Sequence, residues 1–113
     1  MNNINAIDNS VLDTLKGLMK DRFGFLIDTF ISKTQSQLEE LNNAIVNNNV
    51  EMIISITHSM KGSAGSVGAH SMHLLSKDYE DRSRNGDLTD VDSWVDNLRT
   101  EYERYKIEIQ SYL

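Results

Sequence analysis

The chain has 113 residues, no cysteine, no proline and a formal charge of −6. That supports one domain, here residues 1–113, with a modest core, and it excludes a disulfide framework or thiolate chemistry. The acidic balance argues against nucleic acid, whose phosphates need a basic footprint. The start M-N-N-I-N-A-I-D lacks the basic and apolar regions of a signal peptide. No apolar run nears the roughly 20 residues that span a bilayer, so a soluble cytoplasmic protein with no membrane contact is expected.

In chain order, residues 1–8 are polar and read as a loose tail. Residues 10–20 predict a short helix with Val11, Leu12, Leu15, Leu18 and Met19 on its apolar side, and with Ser10 and Asp13 as a capping pair. Asp21 opens a longer helix, with Phe23, Ile27, Phe30, Leu38, Leu41 and Ile45 at three- and four-residue spacing. Asn47-Asn48-Asn49 breaks it, and Asn48 with Glu51 caps the next helix, which Gly68 can stop. Residues 69–84 form a fourth segment that buries Met72, Leu75 and Tyr79, followed by the turn Asn85-Gly86-Asp87. Thr89 and Asp92 open the last helix, whose stripe is Val91, Trp94, Leu98, Tyr105, Ile109 and Tyr112. Four long amphipathic segments with short polar connections predict an all-α, antiparallel four-helix bundle, with the short N-terminal helix capping one end.

The third segment carries the chemistry. At about 100° per residue, Ile53, Ile56, Met60, Ala64 and Val67 lie near one line, the buried stripe, and His58 lies about 160° from it. Glu51, Ser55, Gly62 and Gly65 share the outward face with His58. Mid-helix glycines each cost on the order of 1 kcal/mol relative to alanine. Here they clear surface beside the imidazole for a macromolecular partner. Lys61, at i+3, suits an anion carried on the ring, and a phosphoryl group is the obvious one. An idle surface histidine is the bland alternative, and the facing disfavours a core histidine. Ile54, about 120° from the buried line, is the candidate exposed apolar contact, with Leu26 or Ile31 extending it. Glu80 and Arg84 form an i,i+4 pair on the polar side of the fourth segment.

The run H-S-M-K-G-S-A-G-S-V-G-A resembles the signature of histidine-containing phosphotransfer (HPt) domains, H-x-L-K-G-S-x-x-x-x-G-A. Glu80, the basic residue that follows it, the Asn85-Gly86-Asp87 turn and the upstream F-L-I-D-T-F-I segment also fit that family's layout. Met60 replaces the usual leucine, and Tyr79 stands where leucine is common. The resemblance implies that His58 accepts a phosphoryl group through Nε2 from a receiver-domain aspartate and passes it to another, in a two-component phosphorelay. Lys61 would offset phosphoryl charge, Gly62 and Gly65 would admit the receiver, and Glu80 and Arg84 would orient the ring or complete the polar rim. The implied partners are the receiver domain of a hybrid sensor histidine kinase and that of a response regulator. Mg²⁺ would sit on the receiver, with no metal or other cofactor on this chain. A monomer is expected, either free-standing or a domain excised from a larger kinase.

No G-x-x-x-x-G-K-[ST] and no G-x-G-x-x-G after a strand is present, so autonomous kinase activity is not expected. Three competing readings are a helical adaptor without phosphotransfer, a module that titrates receivers without being labelled, and a metal-binding bundle using His58, His70 and His73. The last lacks the E-x-x-H pairs of di-iron bundles.

Overall fold

Capping and backbone conformation set the helix boundaries. The structure, a computed structural model, describes residues 4–113. Five α-helices run α1 Asn9–Met19, α2 Phe23–Val46, α3 Val50–Ser66, α4 His70–Arg84 and α5 Trp94–Glu108. Short 3-10 turns cover Lys20–Arg22, Val91–Ser93 and Ile109–Tyr112. The described residues contain no strand, and no helix among them is long and apolar enough to cross a membrane.

α1 is capped by Asp8, not by Ser10 and Asp13. The Asp8 carboxylate accepts from the Ser10 and Val11 amides at 3.1 and 3.3 Å and from Ser10 Oγ at 2.7 Å. Lys20 then takes φ 52° and ψ −118°, a region costly to a residue with a Cβ, which turns the chain into α2. α2 therefore starts at Phe23 rather than Asp21. In the asparagine break, Asn48 adopts a left-handed φ of 53°, so Asn49 is the residue whose side chain reaches the Met52 amide, at 3.1 Å. Gly68, at φ +68°, ends the helical path after Ser66. Neither Thr89 nor Asp92 caps α5. Asp90 enters the left-handed region and a 3-10 turn leads into Trp94.

α2 to α5 form the antiparallel bundle, with α3 and α4 the most closely packed pair. Leu41, Ile53, Met60, Met72, Leu98 and Ile109 are fully buried. Tyr79 and Trp94 stack 4.3 Å apart at 5°, and Phe30 meets Tyr105 edge-on at 5.3 Å. Leu75 and Tyr112 are only partly buried. Thr34 and Gln37 fill the stretch of the α2 stripe between Phe30 and Leu38, and both are buried.

α1 covers the end where α3 turns into α4 and α5 finishes. Leu12 is fully buried there, Lys16 Nζ donates to the Tyr112 carbonyl at 2.6 Å, and Tyr112 Oη donates to Asn9 Oδ1 at 2.6 Å. Residues 4–8 are not loose. Asp8 N donates to Gly68 O at 2.9 Å, His70 N donates to Ala6 O at 3.0 Å, and Ala6 is fully buried. Residues 1–3 of that expected tail lie outside the described residues.

A side chain at Gly68 is opposed twice, by its φ and by the neighbours its Cβ would meet, Leu12 Cγ at 2.8 Å and Asp8 O at 3.2 Å. Gly68→Ala is expected to lower the unfolding free energy by about 1–3 kcal/mol. Lys20→Gly is expected to raise it by roughly 0.5–1 kcal/mol. Urea unfolding of both variants measures the two signs.

Candidate functional site

The site is built on α3, whose inner face is fixed by Ile53, Ile56, Thr57 and Met60, all buried. The Thr57 hydroxyl donates back to the Ile53 carbonyl at 2.8 Å. The next residue, His58, consequently leaves the bundle, and its side chain is 62% exposed. Neither the core histidine nor a side chain without partners describes it.

His58 Nδ1 lies 2.9 Å from Glu80 Oε2 on α4. Arg84 Nε and Nη2 donate to the same oxygen at 2.9 and 2.8 Å. Lys61 Nζ pairs with Oε1 at 2.7 Å. The Glu80 side chain is only 4% exposed, so one buried carboxylate gathers three groups from two helices. Burial pushes the Glu80 carboxyl up, but hydrogen bonds from Lys61, Arg84 and His58 outweigh it and hold it down to about 2. An ionised carboxylate only accepts, so the proton between the two groups sits on Nδ1. In the neutral ring, that leaves the Nε2 lone pair free and facing outward.

Gly62 is exposed, with nothing within 4 Å of where a Cβ would stand. Gly65 is different, and the open surface expected there is corrected. Its Cβ would come 2.9 Å from His73 Nδ1, and that ring donates to the Lys61 carbonyl at 2.9 Å. The missing side chain lets α4 approach α3. Ile54 is half-buried rather than exposed, and Leu26 and Ile31 pack against the core. The more exposed apolar side chains are elsewhere, Met52 on α3 and Phe25 on α2 among them. The α2 side of the site was missed from sequence. There Gln37 Nε2 donates to Ser59 Oγ at 2.9 Å and Lys33 Nζ to Ser63 Oγ at 3.3 Å. The gap in the α2 stripe between Phe30 and Leu38 was the available signal. Among the described residues, no group of three His, Asp or Glu is placed to hold a metal.

This geometry can be set beside known proteins. The Hpt domain family matches residues 26–107. The chain belongs to the Hpt domain family. It is 27% identical over 89 residues to the phosphorelay protein LuxU of Vibrio vulnificus strain YJ016, covering 75% of this chain and 77% of that one. It is also 27% identical over 78 residues to the phosphorelay intermediate protein rdeA of Dictyostelium discoideum. That match covers 69% of this Hpt chain and only 31% of rdeA. The fold matches the crystal structure of histidine-containing phosphotransfer protein B (HptB) from Pseudomonas aeruginosa PAO1. The TM-score is 0.89 at 24% identity, over 95% of this chain and 93% of that one.

Because the Glu80 carboxyl titrates lower in the folded state than its ordinary value of 4.5, its contribution to stability is complete above that value. It is lost as pH falls from there through about 2. Glu80→Gln is expected to remove this part of the acid dependence, read as unfolding free energy against pH.

Proposed function

We propose that His58 is the phospho-acceptor through which this histidine phosphotransfer protein relays phosphoryl groups between receiver-domain aspartates. The observation that carries this reading is the Glu80 bond to Nδ1 of an otherwise exposed ring, which leaves Nε2 as the nucleophile. In the forward step, the Nε2 lone pair forms the N–P bond while the acyl-phosphate O–P bond breaks, and the aspartate leaves as carboxylate. No proton has to leave Nε2, and the Nδ1 proton stays on its bond to Glu80, which offsets the positive charge the ring gains. Positioning and charge stabilisation supply most of such a catalysis, so a small module suffices.

Arg84 and Lys61 act first by holding Glu80 ionised and in place. Lys61, with its side chain 28% exposed, is also near enough to the surface to face phosphoryl oxygens. The open surface at Gly62 lets the receiver's loops reach the ring. Mg²⁺ and the acidic pocket belong to the receiver in this scheme. The two partners are the receiver of a hybrid sensor kinase and that of a response regulator. The chain works as a monomer in the cytoplasm, with no kinase activity of its own.

The test is label transfer from a phosphorylated receiver domain and its hybrid kinase. Acid-labile, base-stable label on the chain is expected, and it should vanish in His58→Gln. Lys61→Ala is expected to slow transfer about ten- to a hundredfold through loss of ring positioning. Gly62→Leu should block transfer while leaving the fold intact. Receiver binding without label would mean an adaptor or a module that only titrates receivers, and would end this proposal.

A further inference from the structure

α4 has a second face that the phosphotransfer chemistry leaves unused. At about 100° per residue, Ser71, Leu74 and Asp78 lie on the side of α4 opposite Glu80. There a cavity of about 530 Å³ opens between α4 and α5, with none of the His58 cluster in its lining. Its size falls within the roughly 300–1,000 Å³ of small-molecule sites and far exceeds the space one ordered water fills. Ile4, Leu74 and Leu75 supply its apolar wall.

The polar groups of that lining are mostly acceptors. Asn97 Nδ2 donates to Tyr79 Oη at 3.0 Å and to Ser93 Oγ at 3.4 Å, and Thr100 Oγ1 donates to the Asp96 carbonyl at 3.0 Å. What each has left to offer is an oxygen lone pair. Glu101, 7% exposed, meets Arg104 through Oε1, which leaves Oε2. Asp78 pairs loosely with Arg82 Nη1 at 3.6 Å. Ser71 is 3% exposed, and its Oγ has no hydrogen-bond partner. A buried hydroxyl left unmet in the wall of a cavity calls for a ligand that meets it.

Charge decides the sign of that ligand. From His70 to Glu108, ten carboxylates stand against six lysines and arginines, so this part of the chain carries four of the six net negative charges. An ammonium group brings three donors and no acceptor, which suits walls that mostly accept. Against a cation stands the positive end of α4, which begins at His70 beside Ser71. Two carboxylates outweigh it, because the partial charge of a helix end is only about half a unit.

We propose that the α4–α5 cavity binds a small organic cation, a primary amine on a flat apolar body, with Asp78 and Glu101 taking the ammonium and Ser71 Oγ accepting its third hydrogen bond. This goes beyond the phosphotransfer reading and does not depend on it, so binding is read without any transfer step. The probe is tryptamine, titrated into the ¹⁵N-labelled full chain at neutral pH, with amide shifts as the readout. Saturating shifts are expected at Ser71, Leu74, Asp78, Asn97 and Glu101, with a Kd of about 1 mM for a ligand of this size. Asp78→Asn should weaken binding about fivefold and Glu101→Gln about tenfold. Ser71→Ala should weaken it about threefold while leaving the melting temperature unchanged or raised. Because Glu101 also meets Arg104, Asp78→Asn, at an exposed carboxylate, carries the test if Glu101→Gln fails to fold. Indole-3-propionate, a similar body ending in a carboxylate, should bind at least about tenfold more weakly than tryptamine. Equal or tighter binding of indole-3-propionate would overturn the sign of the ligand. Tryptamine shifts centred on α3, or an affinity indifferent to Asp78→Asn, would overturn the site. The absence of any saturable shift up to about 20 mM tryptamine would overturn the proposal as a whole and leave a water-filled groove.

Discussion

One carboxylate, that of Glu80, ties the bundle to its chemistry. A charge buried to that degree is destabilising unless its oxygens are met, and here they are met by Lys61, Arg84 and His58. Lys61 and His58 project from α3, Glu80 and Arg84 from α4, so the ion cluster can form only when those two helices are packed in register. That register is set elsewhere, by Gly65 giving way to His73 and by the His73 bond to the Lys61 carbonyl. The Lys61 backbone is thus held by one α4 side chain while its ammonium holds another.

The end of the bundle supports the same register. Ala6 and Asp8 bond across to His70 and Gly68 at the α3–α4 connection, and α1 lays Leu12 against Gly68. Tyr105 Oη donates to the Val67 carbonyl at 2.9 Å, so α5 holds the same connection from the other side. What looks like a polar tail and a short cap is therefore part of what keeps α3 and α4 aligned, some three turns from the imidazole.

The fold was legible because its information is periodic. Stripes at three- and four-residue spacing placed α2 to α5, and the opposition between His58 and the Ile53–Ile56–Met60 line placed the ring in water. Helix starts were less legible. Asp8 and Asn49 cap through their side chains and Asp90 through a left-handed turn, and which residue takes each place depends on backbone geometry that spacing does not encode, so Ser10, Asn48, Thr89 and Asp92 were the wrong choices. Neighbour identity was least legible of all. A single helix shows which way a residue points but not what stands opposite, which is why Gly65 looked like open surface when His73 fills it. The same limit hid Gln37 against Ser59 and made half-buried Ile54 look exposed. Glu80 was placed by its family-like position, but the convergence of Lys61, Arg84 and His58 on it is a tertiary fact.

The claim on which the rest depends is that Glu80 fixes the proton of the resting imidazole on Nδ1 and leaves Nε2 bare. Long-range ¹H–¹⁵N correlation spectra of the ¹⁵N-labelled protein above neutral pH read this directly. A pyrrole-like Nδ1 and a pyridine-like Nε2 are expected for His58, with the preference lost in Glu80→Ala. A His58 ring protonated on Nε2 in the wild-type protein, or one indifferent to removal of Glu80, would contradict it.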